Sequence, residues 1–150
     1  MTRKNNKART KGGISSESKL KQLEQIIKKE MLKLNSLKMI YLYGSVLLQA
    51  FNNESDIDCA IHCNESDFKT GLFDIKPEIE LTLKRDLDLV NIKTANPDFA
   101  TEIIASGKLI YTKDQLFKDK FEMRILSEYL TLEEDRAIVL ENIYKTGRVF

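Results

Sequence analysis

The sequence contains no tryptophan, one histidine, two cysteines and two prolines. With His62 alone, a Ser-His-Asp triad or a histidine-based zinc site has little support, because such sites draw on several nitrogen or sulfur donors. Cys59 and Cys63 lie four apart on one expected strand. If that strand is extended, their Cα atoms stand about 13 Å apart, beyond disulfide reach. Two free thiols are therefore expected, which fits a cytoplasmic protein. Long apolar runs are also missing, and none approaches the roughly 20 residues of a membrane span. The basic start MTRKNNKARTKGG has no apolar segment after its charges, so it does not read as a secretory signal. No internal repeat is visible.

What is present describes a soluble, globular chain: 150 residues, 42% hydrophobic and 31% charged, enough for one domain with its own core. The net charge of +1 hides an asymmetry. Arg3, Lys4, Lys7, Arg9 and Lys11 fall in residues 1–13 without an acid, so the remainder is net acidic. Residues 1–14 are read as a solvated, disordered tail, and 15–150 as a single domain. A nucleic-acid-binding arm is the sharper reading of the tail, but no aromatic residue is interleaved there for base stacking.

Periodicity organises the rest. Leu20, Leu23, Ile26, Ile27, Met31 and Leu34 recur at helical spacing and predict a helix over 16–34, with Ser15 or Ser16 as its cap. An apolar strand is expected over 37–43, broken by Gly44, then a short helix over 46–51 and a loop at Asn52-Asn53. The second strand, 55–63, alternates: Ile57, Cys59 and Ile61 on one face, Asp56, Asp58, Ala60 and His62 on the other. Residues 65–83 read as helical, with Pro77 interrupting the helix or opening a second one. A third strand follows at 86–92, a helix at 96–107 and a short strand at 109–112. From 114 to about 144 the pattern is helical, and Thr131 between two apolar stripes allows two helices. Strands alternating with helices make an α/β (α+β) fold, a small mixed sheet flanked by helices with a long C-terminal helical segment.

Chemistry concentrates in the stretch MIYLYGSVLLQAFNNESDIDCAIH. Asp56 and Asp58 stand two apart on a strand, so both carboxylates point to one face, roughly 6.5–7 Å apart along the chain. Gly44 lets backbone approach a phosphate closely, Ser45 adds a hydroxyl, and the helix expected after them aims free N–H groups at an anion. Asp88 lies within a later apolar strand, where a charge is otherwise costly, and can ligate a metal ion that activates an incoming hydroxyl. Hard oxygen donors of this kind suit magnesium, and a two-metal site stabilises both the attacking and the leaving oxygens. Cys59 reads as core and His62 as a strand-end residue, not a ligand. Lys108 could approach a phosphate, but solvent exposure explains it equally well, and it is not counted in the site.

The order strand, Gly-Ser, helix, Asp-Ile-Asp, later Asp resembles the signature of the DNA polymerase β-like nucleotidyltransferase superfamily. It resembles the minimal nucleotidyltransferases (MNT family) more closely, whose pattern is roughly GSxARGxxxxxSDIDL followed by vDLvdL. Gly44-Ser45 match the opening pair, Ser55-Asp56-Ile57-Asp58 the SDID, and Asp88-Leu89-Val90 the later DLV. The tract NPDFATEIIASGKLIYTKD is similar to the helix and short strand that follow, so the resemblance spans about residues 37–114. One departure stands out: Leu47-Leu48-Gln49 where the family commonly has Ala-Arg-Gly.

The resemblance implies a polymerase β-like nucleotidyltransferase fold and an antitoxin of a two-gene toxin–antitoxin pair. Such an enzyme transfers AMP from ATP to a tyrosine hydroxyl of a HEPN-domain ribonuclease toxin, releasing pyrophosphate. It further implies that Gly44 and Ser45 hold the triphosphate, that Asp56 and Asp58 bind two Mg2+ ions, and that Asp88 binds the catalytic ion and assists deprotonation. A hetero-oligomer with the toxin is expected. Three other readings stay open: transfer to a small-molecule hydroxyl of the aminoglycoside kind, an antitoxin that masks its toxin without catalysis, and a tRNA-directed transferase suggested only by the basic tail.

Overall fold

Residues 2–48 and 55–146 are described in the computed structural model of the chain. Four strands form one mixed sheet: β1 (Met39–Tyr43), β2 (Ile57–His62), β3 (Leu87–Asn91) and β4 (Lys108–Thr112), in the order β3-β2-β1-β4. Central β1 runs antiparallel to both β2 and β4, while β2 and β3 are parallel. The parallel pair requires a crossover, supplied by α2 (Leu72–Leu83). The remaining helices are α1 (Thr2–Met31), α3 (Pro97–Ser106) and α4 (Gln115–Thr146).

Period-two alternation gives the sheet two apolar faces. Ile40, Leu42, Ile57, Cys59, Ile61 and Leu87 face one way and pack with Leu23, Ile27 and Met31 of α1 and Leu72, Ile75 and Ile79 of α2. Met39, Tyr41 and Ala60 face the other way and pack with Ala100 and Ile103 of α3 and Phe121 and Ile125 of α4. Burial of these side chains drives the assembly, at about 25 cal/mol per Å² of apolar surface. The α/β sandwich read from the pattern is therefore observed, with two helices on each face.

Several elements depart from the sequence-based reading. Helix α1 begins at Thr2 and carries helical backbone through the basic segment read as a disordered tail. The expected helix over 46–51 is instead a 3-10 turn at Gly44–Leu47, ended by extended Leu48, and the rest of it lies outside the described residues. Pro77 does not break its helix. A π turn at Asp67–Gly71 leads into α2, and buried Ile75 and Ile79 hold that helix together on either side of the proline. Thr131 sits inside one continuous α4, because its hydroxyl donates to the Ser127 carbonyl at 3.0 Å and so satisfies itself within the helix. Helix α3 starts as expected: the Asn96 side chain accepts the Phe99 N–H at 2.9 Å and Pro97 takes the first turn.

Candidate active site

The sheet register builds the site. Tyr43 at the end of β1 pairs with Asp58 of β2, and Asp58 pairs with Asp88 of β3. Three side chains thus stand in a row across three strands, on the face that carries Met39, Tyr41 and Ala60. Burial of Ile57, Cys59 and Ile61 on the opposite face leaves Asp58 no other direction. Asp56, two residues earlier and just before β2, shares that face and is exposed. The start of β2 is tied to the start of β3 by the Ile57 N–H, which donates to the Asp86 carbonyl at 2.9 Å. Glu80 of α2 adds a second tie, its carboxylate accepting the Leu87 N–H at 2.9 Å.

Gly44 follows Tyr43 with φ +78°, a conformation that favours glycine. The Asp58 carboxylate lies against its Cα, in the space that a Cβ would fill. The 3-10 turn that starts here is pinned by buried Val46 and closed by the Leu48 N–H, which donates to the Ser45 carbonyl at 2.9 Å. The motif therefore folds back on itself: the Gly-Ser turn sits directly on the Asp-Ile-Asp strand.

Negative charge is concentrated along the row. Partial burial, then the neighbouring charges of Asp88 and Asp56, push the Asp58 carboxyl above the usual carboxylate range. Burial, then the charges of Asp58, Cys59 and Asp88, push the Tyr43 hydroxyl up to about 12, so it stays a neutral phenol. Its ring meets Phe99 of α3 edge-on, with centroids 5.8 Å apart. Among the described residues no three acidic, histidine or cysteine side chains close into a ready-made metal cage. The acids form an open row of hard oxygen donors whose mutual repulsion a divalent cation would relieve, and that donor set fits magnesium.

Gly44, Ser45, Asp56, Asp58 and Asp88 are thus brought to one end of the sheet. Asp88 differs from expectation in one respect: it is exposed on its strand rather than desolvated, and the register alone places it in the row. His62 lies at the far end of β2, buried between Phe117 and Phe121 at 5.1 and 5.0 Å. Burial, helped by Lys93, Lys38 and Arg124, lowers it to about 4, so it is a neutral core residue and not a ligand. Lys108 is paired with Glu24 of α1 at 2.5 Å. Cys59 and Cys63 are free and buried. Of the Leu47-Leu48-Gln49 departure, Leu47 packs on the first core, Leu48 is exposed, and Gln49 lies outside the described residues. Sequence reasoning passed over Tyr43. Its signal was available, because Met39, Tyr41 and Tyr43 share one period-two face that ends at Gly44.

The family model described as "Polymerase beta, Nucleotidyltransferase" matches residues 21–116, from α1 into the start of α4 and across the whole row. The chain belongs to the polymerase beta nucleotidyltransferase family. One relative within reach of this nucleotidyltransferase is the protein adenylyltransferase MntA of Shewanella oneidensis. It is 23% identical over 107 residues, 71% of this chain and 76% of that protein. The fold of the nucleotidyltransferase is also found in a toxin–antitoxin crystal structure with AMP-PNP, at a TM-score of 0.67 and 24% identity over 81% of this chain and 98% of the other. A tri-AMPylated Shewanella oneidensis HEPN toxin in complex with MNT antitoxin matches at a TM-score of 0.64 and 21% identity, over 83% and 98% of the two chains. Among the described residues, no helix of the nucleotidyltransferase is long and apolar enough to cross a membrane.

Proposed function

We propose that the chain is an antitoxin-type protein adenylyltransferase that moves AMP from ATP to a tyrosine hydroxyl of a HEPN ribonuclease toxin and so neutralises it. The observation that carries this reading is the register Asp58↔Asp88, set against a Gly-Ser turn whose glycine touches Asp58. The likeness to MntA and to toxin–antitoxin complexes supports the choice of a protein acceptor.

In this reading Gly44 and Ser45 hold the triphosphate through backbone N–H groups and the serine hydroxyl. Asp56 and Asp58 would hold two Mg2+ ions, and Asp88 would bind the catalytic ion and help take the acceptor's proton. When bound, magnesium would offset the charge that builds on the attacking and leaving oxygens. The acceptor oxygen bonds to the α-phosphorus, the bond from that phosphorus to its bridging oxygen breaks, and pyrophosphate leaves with the electron pair. The protein works as a hetero-oligomer with its toxin in the cytoplasm, where the thiols of Cys59 and Cys63 stay reduced.

Labelled ATP, Mg2+ and the HEPN protein of the adjacent gene test it. Label should appear on the HEPN protein and vanish with Asp56→Asn plus Asp58→Asn. Neutralisation that survives without any transfer would replace this reading by simple masking. Label unaffected by the double change would reject the site.

A further inference from the structure

Helix α4 is apolar on two sides. Its first half is anchored by Phe121 and Ile125, buried in the second core, with Phe117 packed beside them. Turned away from that core runs a second line: Met123, Leu126, Leu130, Ala137, Leu140 and Tyr144. These positions advance in steps of three, four and seven, the spacing of a helix that packs lengthwise against another helix. The line is open to solvent, with Met123 72%, Leu140 65% and Tyr144 92% exposed. It borders a shallow groove of about 670 Å³ in which Glu133 and Glu134 are the charged residues.

The midpoint of the line decides what fits there. Glu133 and Glu134 stand at its centre, where the repeat would place another apolar side chain. Glu133 is paired with Arg136, which also reaches Asp98 of α3 at 2.6 Å. Glu134 has no ion pair among the described residues. A second copy is a poor occupant. A two-fold antiparallel pairing along the whole line brings the central glutamates against their own counterparts, and an in-register parallel pairing does the same. An anionic lipid surface is disfavoured by the same charges.

We propose that the outward seam of α4 docks a partner helix that is apolar at matching positions and carries a lysine or arginine opposite Glu134. Resting on the functional reading above, that helix belongs to the toxin, and α4 is the handle by which the acceptor is presented to the Asp58–Asp88 row. The core side of α4 keeps the helix in place whether or not the seam is covered.

Binding of the full chain to the purified HEPN protein of the adjacent gene, measured by calorimetry, tests this. Leu130→Glu plus Leu140→Glu changes two exposed side chains, so the melting temperature should hold within a few degrees. The double change should weaken toxin binding by roughly 30-fold or more, the loss typical of central interface anchors. Glu134→Arg should weaken it as well, while binding of AMP-PNP with Mg2+ stays as in the unmodified chain. Unchanged toxin binding by the double variant, with AMP transfer intact, would overturn the docking site and leave the functional reading standing. A chain that binds and modifies no HEPN protein would overturn both. Self-association of the unmodified chain in sedimentation, abolished by the double change, would assign the seam to a second copy instead.

Discussion

The carboxylate of Asp58 occupies the volume that a side chain on residue 44 would need. Gly44 is therefore required twice, by its φ of +78° and by the acid packed on its Cα. Gly44→Ala should cost about 1–3 kcal/mol of stability, the range for a non-glycine residue held in a sparsely populated backbone region. Nucleotide transfer should fall far more than stability does, because relief of the overlap moves Asp58. Thermal melts beside transfer rates at a temperature well below the melt separate the two effects.

Removing one charge from the row should not harm the fold. Asp58 is raised above its ordinary value by burial, Asp88 and Asp56, so the folded state holds that proton more tightly than the unfolded chain does. Its contribution thus favours the folded state at low pH and is lost as pH rises from the unfolded value through the folded one. Asp58→Asn should leave metal-free stability at pH 7 unchanged or slightly higher, within about 0.5 kcal/mol, while transfer is lost. A clear drop in the metal-free melting temperature would show that Asp58 is structural.

Magnesium should read the same row through stability. A ligand that binds only the folded chain stabilises it by RT ln(1 + [L]/Kd), about 2.7 kcal/mol at a hundredfold excess over Kd. With AMP-PNP present, Mg2+ should raise the melting temperature of the unmodified chain, and EDTA should reverse it. The Asp56→Asn, Asp58→Asn double variant should show no such shift. An equal shift in both would place the ion elsewhere.

His62 gives the protein an acid-side weakness. It is held at about 4 in the folded state, against an ordinary value of 6.5. Between those limits the unfolded chain takes up a proton that the folded chain refuses. Stability therefore falls as pH drops from 6.5 towards 4, by up to about 1.4 kcal/mol per pH unit. Lys93, Lys38 and Arg124 add to the penalty for a charged ring. Urea midpoints at pH 7 and pH 5 should differ less in His62→Leu than in the unmodified chain.

Phe121 is the anchor of α4, buried and in edge contact with His62. Phe121→Ala should destabilise by about 3–5 kcal/mol, the usual cost of emptying an aromatic core position. Hydrogen exchange should show the loss first in α4 amides, with β1 and β2 protected longest.

Much of this was legible because burial writes a simple pattern. Ile57, Cys59 and Ile61 against Asp58 and Ala60 gave the face of the acids, and Asn96 with Pro97 gave the start of α3. The elements that were misread are those in which a local rule met a stronger neighbour. Pro77 argues against a helix until Ile75 and Ile79 are seen anchored on either side of it. Thr131 looks like a break until its hydroxyl is found bonded within the helix. Gly44-Ser45 suggests a helix start, yet Leu48 turns extended after a single 3-10 turn. The cross-strand register was invisible altogether. No spacing in the chain says that residue 58 lies beside 88 rather than 87 or 89, and that pairing is what makes a site of two separate motifs.

The two carboxylates are spaced by the backbone ladder itself, about 4.8 Å from strand to strand, with the Asp58↔Asp88 pairing fixed by hydrogen bonds along β2 and β3. Adjustment there is quantised. Sliding β3 by one residue would turn Asp88 into the apolar layer and bring out Leu87 or Leu89 in its place. No intermediate setting exists, so lengthening or shortening the α2 crossover cannot gradually retune the spacing of the two carboxylates. It either leaves the pair intact or breaks the sheet with it.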